Sequence, residues 1–162
     1  MLALLLALQL TAAAAPELTV LVFTTTDCPI SNRYAPEVKR LSQKFAGKAR
    51  FVLVYPVATD SDGLIREHIR RFGYSNEWQR DPSQTLVKHT GVRVTPEVAI
   101  VDRVQNVLYR GRIDDRYVDF GKDRPEPTVR DLERSLEAVL AGRPVPVRET
   151  QAIGCILSEL VK

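Results

Sequence analysis

Residues 18–34, LTVLVFTTTDCPISNRY, decide the fold of this chain. The apolar, β-branched run from Leu18 to Phe23 has the composition of a buried strand, and it stops at Thr24-Thr25-Thr26-Asp27. Cys28 follows, and Pro29-Ile30-Ser31 opens a helical pattern, so the stretch reads as strand, turn, helix. A cysteine at the first turn of a helix faces unpaired backbone N–H groups and the positive end of the helix dipole. Both favour the thiolate, which is the nucleophilic form. The polar flank predicts an exposed, reactive Cys28. The alternative is a buried structural cysteine, the commoner fate of a lone one.

The rest of the composition narrows the class. A chain of 162 residues, 44% hydrophobic and 27% charged, suits a single domain with a sizeable core. The net charge of +3 is mild and the basic residues are scattered, which argues against nucleic-acid binding. Residues 1–14, an apolar run ending in small residues, read as a secretory signal cleaved after Ala14, although the usual basic n-region is missing. An uncleaved anchor is the alternative, but the run is too short for a comfortable transmembrane helix. Export to a periplasmic or other extracytoplasmic space would allow the two cysteines, Cys28 and Cys155, to pair as a disulfide.

Downstream of Cys28, Tyr34, Val38, Leu41 and Phe45 recur at helical spacing, with Pro36 placed to kink the helix and Gly47 to end it. The pattern Cys28-Pro29-Ile30-Ser31 with Pro36 resembles the thioredoxin active-site helix, in which a CxxC motif is followed by a kinking proline. Here Ser31 stands where the second cysteine is expected. A hydroxyl cannot resolve a mixed disulfide, though it can donate a hydrogen bond to a thiolate. Any resolving thiol must therefore come from elsewhere.

The resemblance continues along the chain. Residues 50–57 form a second continuous apolar run, and Leu64, Ile65, His68, Ile69 and Phe72 mark a helix ending at Gly73, which together imply a βαβ unit with parallel strands. His68 lies on the apolar stripe and reads as a packed histidine. Residues 74–80 read as a short extended piece. Asp81 and Pro82 then read as the N-cap and first-turn proline of a short helix reaching His89. This segment resembles the central insert of peroxiredoxins, and Trp78 within it reads either as lining the site or as core.

Gly91-Val92-Arg93-Val94-Thr95-Pro96 before an apolar strand resembles the superfamily's cis-proline segment, which implies that Pro96 packs opposite Cys28 and that the Thr95 backbone receives an extended substrate. Val107 to Arg112 is expected to return as an antiparallel strand. The polar stretch 113–127 reads as a solvated loop without calcium-loop spacing, and Thr128 as the cap of a helix carrying Leu132, Leu136, Val139 and Leu140, stopped by Gly142.

The whole pattern resembles exported bacterial redoxin-domain proteins of the alkyl hydroperoxide reductase and thiol-specific antioxidant group. It implies an α/β thioredoxin-like fold over residues 15–142, a central mixed sheet flanked by helices, a peroxiredoxin-type insert, and an extended C-terminal tail over 143–162 carrying Cys155. Three roles stay open for Cys155: resolving thiol for Cys28, stapling disulfide, or partner of Cys28 in copper(I) handling. The expected function is thiol-disulfide exchange with Cys28 as nucleophile, Cys155 as resolving thiol, and Ser31 and Thr25 as hydrogen-bond donors to the thiolate. Thr95, Pro96, Pro29 and Arg93 are expected to shape the substrate groove. Partners would be protein or small-molecule disulfides and a redox partner protein.

A peroxidase is the alternative, with peroxides as substrates. Thr25 and Cys28 match the T-x-x-C of peroxiredoxins, and Arg93 could supply positive charge, but Leu21 stands where their proline is expected. No resident metal or cofactor is expected: the chain has no phosphate loop, nucleotide fingerprint, zinc-type cysteine pair or Ser-His-Asp ordering.

Overall fold

The computed structural model describes residues 18–157. Its elements are β1 (Leu18–Phe23), α1 (Pro29–Arg33), α2 (Ala35–Lys44), β2 (Ala49–Tyr55), α3 (Asp62–Phe72), β3 (Glu77–Arg80) and α4 (Thr85–Thr90). β4 (Val94–Thr95), β5 (Glu97–Val101), β6 (Val107–Gly111), β7 (Tyr117–Asp119), β8 (Lys122–Asp123), α5 (Asp131–Leu140) and β9 (Cys155–Ile156) follow. The signal expected over 1–14 lies outside the described residues.

A five-stranded mixed sheet of order β3-β2-β1-β5-β6 organises the domain. β1 runs parallel to β2 and antiparallel to β5, so the strand before Cys28 and the strand after Pro96 are neighbours. Strand periodicity sorts β1 into two faces. Leu18, Val20 and Val22 join the core built with Ile30, Val38 and Leu41 of α1 and α2, Ile65 of α3, and Leu132 and Leu136 of α5. Leu21 and Phe23 join a second core with Val87 of α4, Val92 and Leu157. Both faces of β1 and β2 are covered, which is why their sequences are continuously apolar rather than alternating.

The helix after Cys28 breaks at Tyr34, and Pro36, which has no N–H to offer the preceding turn, sits in the first turn of α2. α3 starts at an N-cap Ser61 and ends on Gly73 with φ 68°, a conformation glycine adopts without steric cost. His68 is buried, with its ring nitrogens 2.8 Å from the Tyr55 hydroxyl and 2.7 Å from Asn32 Oδ1. Trp78 packs on the core edge-on to Tyr55 with Arg66 over its ring.

Three local expectations change. Pro82 precedes α4 rather than opening it, and the N-cap position is Gln84 rather than Asp81; the Asp81 carboxylate nevertheless accepts from the N–H groups of Thr85, Leu86 and Val87 at 2.8–3.1 Å. The stretch 113–127 is not uniformly solvated. Asp114 and Asp115 are buried, the first accepting from the Tyr34 hydroxyl at 2.6 Å, and β7 and β8 form a small hairpin. Thr128 is not the N-cap of α5, which is Arg130. Its N–H and hydroxyl, with the N–H of Val129, donate to Asp115 instead. In each case a buried carboxylate takes the donors, and for Asp114 and Asp115 these come from outside the reach of local periodicity.

Candidate active site

The turn carrying Cys28 is tied down on both sides. Thr24 N–H donates to the Val54 carbonyl at 2.9 Å, and the Thr26 hydroxyl donates to the buried Asp60 carboxylate at 2.5 Å. Burial pushes the Asp60 carboxyl up, against the hydrogen bonds from Thr26. Cys28 then occupies the N-cap position of α1, with Pro29 exposed at the first helical residue.

The facing segment is equally constrained. The Thr95–Pro96 peptide bond is cis. The buried Glu97 carboxylate accepts from the N–H groups of Arg93 and Val94 at 2.7 and 3.3 Å, holding the loop that presents Thr95. The Cys28 thiol donates to the Thr95 carbonyl at 3.1 Å.

The C-terminal tail returns to this site along two sheet edges. At β6, Arg110 N–H donates to the Arg148 carbonyl at 2.9 Å and Thr150 N–H to the Arg110 carbonyl at 3.1 Å. The Thr150 hydroxyl sits 2.7 Å from the Tyr109 hydroxyl and accepts from Arg112 N–H at 3.1 Å. The Arg110 guanidinium pairs with Glu149 of the tail, with Glu97 at 3.3 Å, and with the Gly91 carbonyl at 2.8 Å. Gly111, at φ +147°, makes room: a Cβ there would collide with Thr150. At β4, β9 pairs antiparallel with Thr95 opposite Cys155 and Val94 opposite Ile156. A Cβ on Gly154 would collide with the Thr95 carbonyl, so only glycine allows this approach.

The result is that Cys155 Sγ lies 3.0 Å from Cys28 Sγ, both as free thiols. Cys28 is only 2% exposed, whereas Cys155 is partly exposed. The expectation of an exposed Cys28 is therefore corrected: a segment 127 residues away covers it. The flanking Thr24 and Thr25 are buried as well.

Electrostatics separate the two sulfurs. Burial acts to raise the Cys28 thiol, but donation from the Cys155 thiol, from the Ser31 hydroxyl and N–H, and from Thr95 outweighs it and holds Cys28 below the ordinary thiol value. The Ser31 and Thr95 hydroxyls are buried and without a hydrogen-bond partner while Cys28 is a thiol, so ionisation supplies the acceptor they lack. Cys155 is pushed up to about 12 by burial, by its bond to Cys28, and by the Cys28 and Asp27 charges. One sulfur is disposed to be thiolate and the other to carry the proton. Tyr74 is raised by burial and by the Cys28 charge, and remains a neutral phenol.

Cys28, Ser31, Thr95 and Cys155 thus come together, with Pro96 beside them in the chain. The Thr25 hydroxyl is buried and unpartnered and makes no bond to the sulfur. The Arg93 residue is exposed; its backbone is engaged at the site through Glu97 and the Leu157 N–H donating to its carbonyl at 2.9 Å, and its charge acts on the Glu97 carboxyl. Sequence reasoning did not assign Asp60, Glu97, Arg110 or Thr150 to the site; the signals available were the carboxylate that opens the apolar strand 97–101, and the YRGRIDD and T-x-x-x-G-C stretches that hold Arg110 and Thr150. Among the described residues there is no group of three or more His, Cys, Asp or Glu able to hold a metal ion, and no helix is long and apolar enough to cross a membrane.

A thioredoxin-like family model matches residues 16–107, more than half of the chain. An uncharacterized conserved protein from Geobacillus kaustophilus has a similar structure, with TM-score 0.75 and 26% identity over 87% of this chain and 76% of that one. A hypothetical protein from Sinorhizobium meliloti gives TM-score 0.72 and 25% identity over 87% and 79%. A secreted Mycobacterium tuberculosis disulfide oxidoreductase shares the fold at TM-score 0.50 and 16% identity over 78% and 81%. No curated protein matches.

Proposed function

As the chain belongs to the thioredoxin-like family, we propose that it is a thiol-disulfide oxidoreductase in which Cys28 attacks and Cys155 resolves. The 3.0 Å separation of the two sulfurs, one favoured as thiolate and the other as thiol, carries this reading. Cys28 thiolate attacks one sulfur of a substrate disulfide; the new S–S bond forms as the other substrate sulfur leaves as thiolate. Cys155 passes its proton to that leaving thiolate and then attacks Cys28, forming the intramolecular disulfide and releasing the second substrate thiolate. The substrate is reduced by two electrons and the cysteine pair is oxidised by two. An outside thiol partner restores the pair.

Ser31 and Thr95 serve as donors to the Cys28 thiolate, and residues 143–162 act as the tail that delivers the resolving thiol to the domain of residues 15–142. Export belongs to the same proposal, since residues 1–14 read as a secretory signal and the Mycobacterium tuberculosis protein of this fold is secreted. An oxidising compartment suits a chain whose two cysteines alternate between thiol and disulfide.

The test is intact mass under non-reducing conditions with alkylation of free thiols, before and after mild treatment with oxidised glutathione or peroxide. The expected product has lost two hydrogens and has no alkylatable thiol. Cys155→Ser is expected to stop at a Cys28 adduct, and Cys28→Ser to abolish insulin disulfide reduction. A wild-type chain that stops at a Cys28 adduct with Cys155 free would overturn the resolving role.

A further inference from the structure

The tail does more than carry a thiol. Its residues Cys155 and Ile156 pair with β4, occupying the backbone edge at Thr95, and two side-chain requirements are visible in how residues 154–157 sit. Before the cysteine, Gly154 packs on the Thr95 carbonyl and any Cβ would collide with it. After the cysteine, Ile156 is 43% exposed and makes no demand. Two residues after, Leu157 is buried in the apolar core with Val87 and Val92, and its N–H donates to the Arg93 carbonyl at 2.9 Å.

We infer that β4 and the adjoining apolar pocket form a recognition groove for an extended cysteine segment of the pattern Gly-Cys-x-Leu, which the chain's own tail fills until an outside protein disulfide displaces it. The inference rests on the proposed exchange chemistry at Cys28 and names the substrate class for it. Backbone pairing at Thr95 accepts any extended strand. The glycine contact and the leucine pocket supply the selection, because one penalises every side chain before the cysteine and the other rewards an aliphatic side chain after it. The tail also competes as a tethered ligand, at an effective concentration in the millimolar range for short flexible linkers. Outside segments therefore react more slowly with the native chain than with one whose tail is blocked.

The experiment uses full-length chains with Cys155→Ser, alone and combined with Gly154→Ala, and synthetic peptides bearing a thionitrobenzoate on cysteine. Cys28 thiolate attacks the peptide sulfur, the Cys28–peptide disulfide forms, and the thionitrobenzoate thiolate leaves and is read by its absorbance. The peptides are TQAIGCIL, which copies residues 150–157, and versions with alanine for the glycine, serine for the leucine, or threonine for the isoleucine after the cysteine. The alanine and serine peptides should react at least about tenfold more slowly than the parent, and the threonine peptide at the parent rate. The same ranking should hold in both chains, faster overall where Gly154→Ala blocks the tail.

Equal rates for all four peptides, or the same ranking in urea-unfolded chain, overturn the groove. Reaction of Cys28 with cystine but with none of the peptides also overturns it while leaving the proposed function standing. A folded chain that reacts with neither overturns both.

Discussion

Thr95 and Cys155 stand opposite each other in an antiparallel strand pair, while the carbonyl of the same Thr95 accepts the Cys28 thiol at 3.1 Å. One residue therefore positions both sulfurs. The geometry is held by backbone groups on β4, which move less than side chains, and by a glycine at 154 that lets the two backbones approach.

The ionisation of Cys28 should depend on its donors. Ser31→Ala removes a buried hydroxyl that favours the thiolate, and Cys155→Ala removes the neighbouring S–H. Each is expected to raise the Cys28 pKa, read as a shift of the alkylation-rate profile to higher pH. A profile unchanged in both variants would remove these groups from the account.

Gly111→Ala should loosen the tail. The added methyl meets Thr150 and the backbone is at φ +147°, so the cost is expected to be about 1–3 kcal/mol by denaturant unfolding. Limited proteolysis should then cut within residues 143–150 faster than in wild type. Unchanged cleavage would mean that β6 does not hold the tail.

Arg110 joins Glu97 in the domain to Glu149 in the tail. Arg110→Ala leaves the buried Glu97 carboxylate without its cation and is expected to cost about 3–5 kcal/mol. Burial already holds the Glu97 carboxyl above its usual value, so Glu97→Gln in the Arg110→Ala background should recover part of the loss. Denaturant midpoints of the two variants and the double variant check this, and additivity of the single effects would sink it.

Asp115 should set part of the acid sensitivity. Burial acts to raise its carboxyl, but hydrogen bonds from Thr128 and Val129 and the Arg124 charge bring it down to about 2 from an ordinary 3.8. A folded-state value below the unfolded one contributes stability that is fully present above the unfolded pKa and is lost as pH falls through about 2. Asp115→Ala is expected to cost about 1–2 kcal/mol at neutral pH, by loss of the turn's acceptor, and to flatten unfolding free energy against pH over that acid window. A parallel shift of the whole curve would assign the effect to packing alone.

Much of this molecule is written locally. The run Leu18–Phe23, the turn into Cys28, the kinking Pro36, the stop at Gly73 and the strand after Pro96 are short-range patterns of apolar spacing and backbone restriction, and these determine the α/β order and where Cys28 stands. The resemblance of CPIS and of the segment 91–96 to family motifs rests on the same local signals. The serine at 31 also makes it plain in the sequence that any resolving thiol must come from elsewhere.

What Cys155 meets and what covers the site depend on contacts between segments far apart in the chain. The polar flank of Cys28 reads as exposed because nothing near it in sequence can bury it; the tail does so from 127 residues away. Asp60, Glu97 and Asp115 read as ordinary surface or strand residues until their partners arrive from other elements. Hydrogen bonds and excluded volume act over ångströms in space, whereas periodicity and capping act over a few residues of chain. Local sequence patterns therefore account for the scaffold and for the place of Cys28 in it, and the packing of the tail against β4 and β6 sets the burial and hydrogen bonding of its sulfur.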